Sequence, residues 1–120
     1  MNTFKDIIEN AKENPYRTIN VPLYIVTKNT GKLTTVTSAT CIIEFTPIVI
    51  CCTGGYSFDA ENYNNAEVLE RVVYAGFYHS QKVITHYLFA NKEKAKEMSL
   101  KILNKRKKKI DEEITKVMQM

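Results

Sequence analysis

Apolar positions recur at helical spacing near both ends of this chain and at strand spacing between them. Phe4, Ile7, Ile8 and Ala11 share one face of a helix running from Phe4 to Glu13. Thr3 stands at the capping position, and Asp6, three residues on, gives a weaker form of the capping box. Asn14-Pro15 ends the segment, because the residue before a proline is pushed out of helical backbone. From Thr18 the period becomes two: Ile19, Val21, Leu23 and Ile25 alternate with Asn20, Pro22 and Tyr24. Pro22 has no N–H to give a ladder, so this run predicts an edge strand or a bulge. Lys28 to Lys32 is a turn in which Gly31 is free to take positive φ. Leu33 to Phe45, rich in Thr, Val and Ile, is a long strand that Pro47 interrupts. Ile48 to Cys52 is a short apolar central strand, Thr53-Gly54-Gly55 a tight turn, and Tyr56 to Phe58 the start of the return strand.

Asp59 to Asn65 is a polar loop. Glu67 to Tyr78 fits two patterns. Val68, Leu69, Val72, Val73 and Phe77 suit a helix face, while Val72-Val73-Tyr74 and Gly76 suit a strand, and the balance tips to strand in the second half. After a turn at His79-Ser80-Gln81, Lys82 to Phe89 is a strand with Val83, Thr85, Tyr87 and Phe89 on one face and Ile84, His86 and Leu88 on the other. Asn91 caps a final helix with Glu93 in its first turn. The expectation is one α+β domain over residues 1–120. A short N-terminal helix and a curved antiparallel sheet or small SH3-like barrel of about five strands form a β-rich body over 14–90. A long basic C-terminal helix or helix pair follows over 91–120.

Charge singles out that last segment. Between Lys92 and Lys109 nine cations meet only Glu93 and Glu97, leaving +7, so the remainder of a +4 chain carries −3. A field this local faces an anion. Ala95, Met98, Ile102, Leu103, Ile110 and Val117 form the apolar stripe, and Arg106 falls near its middle, where Leu or Ile is expected. Either the Arg106 stem packs on the sheet while its guanidinium reaches water, or the fork holds a phosphate or carboxylate at a pocket edge. Lys101, Lys105 and Lys109 form one ridge beside the stripe. Beyond Ile110 the sign reverses at Asp111, Glu112 and Glu113, and Ile114, Val117 and Met118 can pack on another helix, in a partner subunit.

Composition adds limits. At 44% hydrophobic and 25% charged, the chain has the make-up of a folded domain and not of a disordered one. No apolar run reaches the length of a membrane span, and Met1 to Ala11 carries acids where a signal peptide needs an apolar run. Cys41, Cys51 and Cys52 are odd in number and two are adjacent, which points to free thiols and a cytoplasmic protein. These cysteines with His79 and His86 have no zinc-ligand spacing, and Thr53 to Ser57 is too short for a phosphate-binding loop. The Asp59 and Glu61 carboxylates are accounted for by a solvated loop, and His86 by a neutral, half-buried strand position. No metal, no cofactor and no catalytic residue is expected; the chain reads as a binder and not an enzyme.

Tyr87-Leu88-Phe89-Ala90-Asn91-Lys92-Glu93-Lys94-Ala95 is similar to the strand, aromatic, short turn and Lys-Glu-x-Ala helix found at the end of many small phage proteins. Among these, the layout resembles the phage-encoded Thoeris anti-defence sponge family. That resemblance implies a β-rich body with C-terminal helices, assembly as dimers or higher oligomers, residence in the host cytoplasm, and capture of a small anionic nucleotide of the cyclic ADP-ribose type. It assigns phosphate contacts to Lys105, Arg106 and Lys109 beside Lys101, stacking to Tyr78, Phe77 or Phe89, and a base or ribose contact to Asn91. The chain departs from the family's preference for arginine clamps, since Arg106 is the one arginine in this helix. Two other roles remain open: a nucleic-acid-binding module in which Lys101 to Lys109 track phosphates, and a structural or assembly protein with an acidic partner.

Overall fold

A computed structural model describes residues 3–44, 48–64, 66–79 and 81–120. The expectations that fall on Phe45, Pro47, Asn65 and Ser80, and on the capping side chain of Thr3, lie outside the described residues. The elements run α1 (Thr3–Glu13), β1 (Thr18–Thr27), β2 (Leu33–Ile42), β3 (Val49–Cys52), β4 (Tyr56–Asp59), β5 (Val68–Ala75), a short 3-10 turn (Phe77–His79), β6 (Gln81–Phe89) and α2 (Lys92–Met118). The fold is α+β. Six antiparallel strands lie in the order β4-β3-β2-β1-β6-β5, one strand more than the sequence suggested. In the ambiguous segment, β5 takes up Val68 and Leu69 as well as the second half that the sequence favoured as strand. The last helix is continuous through Lys107-Lys108 and is not a helix pair.

One face of all six strands converges on α1. Leu23, Ile25, Val36, Ala39, Cys41, Ile50, Cys52, Phe58, Leu69 and Leu88 form a single buried cluster with Phe4, Ile7, Ile8 and Ala11. A sheet can surround one helix in this way only by curling, and its two edge strands, β4 and β5, do approach each other across the open seam. The curvature has a local cause in β1. Asn20 pairs with Ser38 and Leu23 with Val36, so Val21 and Pro22 together oppose Thr37. That bulge accommodates the proline in a central strand, where a regular ladder would need its missing N–H. The two glycines of the Thr53–Gly55 turn take positive φ, as a tight hairpin demands.

The other face of β1 and β6 carries α2. Val26 and Phe89 pack on Ala95, with Met98 and Ile102 closing the contact. The β1–β2 turn then holds the helix by two hydrogen bonds: Ser99 Oγ donates to the Gly31 carbonyl at 2.5 Å, and Arg106 Nη1 to the Thr30 carbonyl at 2.6 Å. From Leu103 onward every residue of α2 is exposed. The 27-residue helix is about 40 Å long, which explains a longest dimension of 64 Å and a radius of gyration of 17.2 Å against about 14 Å for a compact chain of this length.

Gly31 is the tightest point of the α2 contact. Its φ is +76°, and a Cβ there would come within 3.0 Å of Leu103 Cγ and 3.1 Å of Ile102 Cγ2. The Gly31→Ala substitution therefore combines left-handed strain of about 1–2 kcal/mol with displacement of α2. The expected outcome is a lower denaturation midpoint by chemical unfolding and faster amide exchange across Ala95–Ile102; unchanged exchange there would show that the helix does not depend on this approach.

Candidate functional site

The residues singled out from sequence separate into three places. Lys101, Lys105 and Lys109 lie on α2, all exposed, and no ion pair engages them or Lys107 and Lys108 among the described residues. The first two turns differ, since Lys94 reaches Glu67 at 3.8 Å and Lys96 reaches Glu93 at 3.9 Å. Arg106 is committed to the Thr30 carbonyl while remaining exposed. Its stem leans toward the turn and its fork anchors the helix, which is nearer to the snorkelling alternative than to a pocket edge. Asn91 caps α2, its Oδ1 accepting from the Lys94 N–H at 3.1 Å, which leaves only its amide NH₂ for another partner.

Phe89 stands apart from the other two aromatic candidates, Phe77 and Tyr78. Phe89 is buried at the root of α2 against Val26 and Ala95, where its ring is engaged in packing. An open groove of about 460 Å³ beside it brings Phe89, Lys94, Met98 and Lys101 together, but Glu97 shares the lining and opposes an anion. Phe77 and Tyr78 sit in the 3-10 turn at the tip of the β5–β6 hairpin, 87% and 92% exposed, with their rings edge-to-face at 5.7 Å. α2 runs back antiparallel to β6 and passes the β1–β2 turn, which itself hydrogen-bonds Thr85 through the Lys28 N–H. The aromatic tip and the lysine-rich half of α2 thus project from the same end of the sheet.

A second cluster was not foreseen. Arg71, His86 and Tyr56 are each two residues from a side chain buried around α1, namely Leu69, Leu88 and Phe58, so all three continue the lining of the trough toward its open end. Arg71 pairs with His86 and Val72 with Ile84, which leaves Thr85 as an inserted bulge residue. Its hydroxyl accepts from Arg71 Nη1 at 3.1 Å and lies 2.9 Å from His86 Nδ1. The His86 ring meets Tyr56 across the trough, centroids 4.6 Å apart. Arg71 is half-buried and has no salt bridge among the described residues. Burial, then the neighbouring Arg71 charge, hold His86 below the usual histidine range. The alternation Tyr56-x-Phe58, Leu69-x-Arg71 and His86-x-Leu88 was the available signal; the bulge that joins them was not legible.

Other chemistry is sparse. Asp59 and Glu61 have structural duties, Asp59 Oδ1 accepting from the Glu61 N–H and Glu61 Oε1 from the Ile48 N–H. They also line a seam groove of about 360 Å³ with Glu70 and Lys82, too acidic for an anion. Among the described residues no three His, Cys, Asp or Glu side chains converge as metal ligands. No described helix is long and apolar enough to cross a membrane. Burial, with Cys51 nearby, pushes the Cys41 thiol up to about 11 and the Cys52 thiol up to about 12.

Two outcomes follow from these environments. A histidine whose folded pKa is lowered contributes nothing above its unfolded pKa of about 6.5 and costs stability as pH falls below it. The unfolding midpoint should therefore drop between about pH 7.5 and 5.5, and the drop should shrink in His86→Gln; an identical profile in the variant would show that His86 is not held neutral. A thiol reagent on the native protein should label Cys51 quickly, with Cys41 and Cys52 reacting only on unfolding, as mass mapping would show. No protein-family model matches this chain, and no curated protein or solved structure does.

Proposed function

We propose that this protein is a non-catalytic binder of an extended polyanion, a single-stranded nucleic acid in the first instance. One observation carries this: Lys101, Lys105 and Lys107 to Lys109 are all exposed on α2 and make no ion pair among the described residues. A rod of lysines suits a repeating phosphate chain, in which each charge finds its own partner and counterions are released. The exposed Phe77 and Tyr78, projecting from the same end, supply π-faces on which bases stack whatever their sequence.

The small anionic nucleotide implied by the sponge resemblance is the second proposal, and a different site favours it. Arg71, half-buried and with no ion pair among the described residues, shares the trough mouth with His86 and Tyr56. A phosphate on the guanidinium with a ring near Tyr56 fits that chemistry.

Fluorescence anisotropy with a labelled oligonucleotide separates the two. The expected log K falls with log salt at a slope of about −2 to −4, and replacing Lys101, Lys105 and Lys109 together by Ala reduces the slope by about 2. Arg71→Ala leaves it unchanged. Binding that ignores the three lysines but is lost with Arg71 would transfer the role to the trough mouth, and no binding at low salt would end the polyanion proposal.

A further inference from the structure

The trough mouth can hold His86 in either protonation state without stranding a polar group. Thr85 Oγ accepts from Arg71 Nη1 at 3.1 Å, lies 2.9 Å from His86 Nδ1, and lies 3.3 Å from the Arg71 carbonyl. A hydroxyl has one hydrogen and two lone pairs. With the ring neutral and Nδ1 bare, the Thr85 hydrogen serves Nδ1. With the ring protonated, Nδ1–H donates to Oγ beside the Arg71 bond, and the hydroxyl hydrogen turns to the Arg71 carbonyl. Both patterns use atoms already in place, so a proton can arrive without any shift of the backbone. The inserted position of Thr85 is what puts its hydroxyl within reach of both groups.

The surroundings of the ring decide what brings that proton. Arg71 faces it from β5, Tyr56 from β4 with ring centroids 4.6 Å apart, and Thr27 pairs with it from β1. Glu70 and Tyr87 pair with each other on the opposite face of the sheet. α1 turns Phe4, Ile7, Ile8 and Ala11 into the trough, while its Lys5, Asp6, Glu9, Lys12 and Glu13 are exposed. Neither Arg71 nor His86 has an ion pair among the described residues. Burial, then the Arg71 charge, keep the ring below the usual histidine range. A guanidinium carries five N–H donors in a fork that matches an oxyanion, and Thr85 accepts one of them. An oxyanion on that fork offsets the Arg71 charge felt by the ring and so favours protonation. The coupling is reciprocal: what binding does for the proton, the proton does for binding. On the reading of the trough mouth as an anion site, we infer that it takes up an oxyanion together with a proton on His86, so that its affinity rises as the pH falls.

The test uses the full chain and two probes, sulfate and adenosine 3′,5′-cyclic monophosphate, whose own charge is constant between about pH 7.5 and 5.5, at fixed ionic strength. Nuclear magnetic resonance at the Arg71 and Thr85 amides reads the trough mouth and leaves the α2 lysines out of the measurement. Both probes should bind about fivefold more tightly at the lower pH. The titration midpoint of the His86 imidazole in the unsubstituted chain should move up when either probe is saturating, a reading that needs no variant to fold. His86→Gln should make the affinity equal at both pH values, and Arg71→Ala should remove the response at both. Equal affinity at both pH values in the unsubstituted chain would overturn the proton linkage and leave the anion site standing. So would a pH effect with the nucleotide but not with sulfate, or one that survives in His86→Gln. No amide shift with either probe at either pH would end the anion reading and the inference with it.

Discussion

The grip of one turn on one helix governs what this molecule presents to its surroundings. Thr30 and Gly31 accept from Arg106 and Ser99, and Gly31 has no side chain, so Ile102 and Leu103 come within contact of the turn. Before that point α2 is part of the domain, with Ala95 and Ser99 buried. After it the helix has only its own backbone bonds and whatever it meets in solution. The Ser99 bond is buried and therefore specific in position, since neither its donor nor its acceptor can be left unpaired cheaply. The turn therefore fixes where the helix leaves the sheet and which of its faces remain open.

A helix segment shorter than about 12–15 residues is marginal in water by itself, and five adjacent cations make this one worse. Exposed i, i+4 pairs offer small relief, and Lys105 and Arg106 have no acid at that spacing, whereas Lys101 has Glu97 and Lys107 to Lys109 have Asp111 to Glu113. The body cannot supply the missing stabilisation, because beyond Leu103 it reaches α2 only through Arg106. The proposed polyanion would answer that deficit, because a phosphate chain neutralises the outer lysines.

Much of the fold was legible because it rests on local periodicity. The α1 face of Phe4, Ile7, Ile8 and Ala11, the Gly31 turn, the Gly54-Gly55 hairpin, the bulge at Pro22 and the Asn91 cap all follow from side-chain spacing or from one residue's backbone limits. Val68 to Ala75 was ambiguous because its apolar residues fit both periods, and pairing with β6 decided it. Arg106 illustrates the limit of periodicity: its place in the apolar stripe was visible, but its acceptor, a carbonyl 76 positions away in sequence, was not.

The trough-mouth cluster was hidden for a related reason. Nothing in the strand pattern reveals that Thr85 is an inserted residue, yet the insertion turns its hydroxyl toward both Arg71 and His86. Without it, a threonine beside His86 in sequence would point to the opposite face. Burial first, and then the Arg71 cation that the same irregularity brings close, disfavour charge on the imidazole. A strand pair that keeps Arg71 half-buried at the rim of the trough, with no ion pair among the described residues, spends stability to do so. That cost is the physical ground for treating the rim as more than packing: a regular ladder with leucine at that position would have closed the end of the trough at no such penalty.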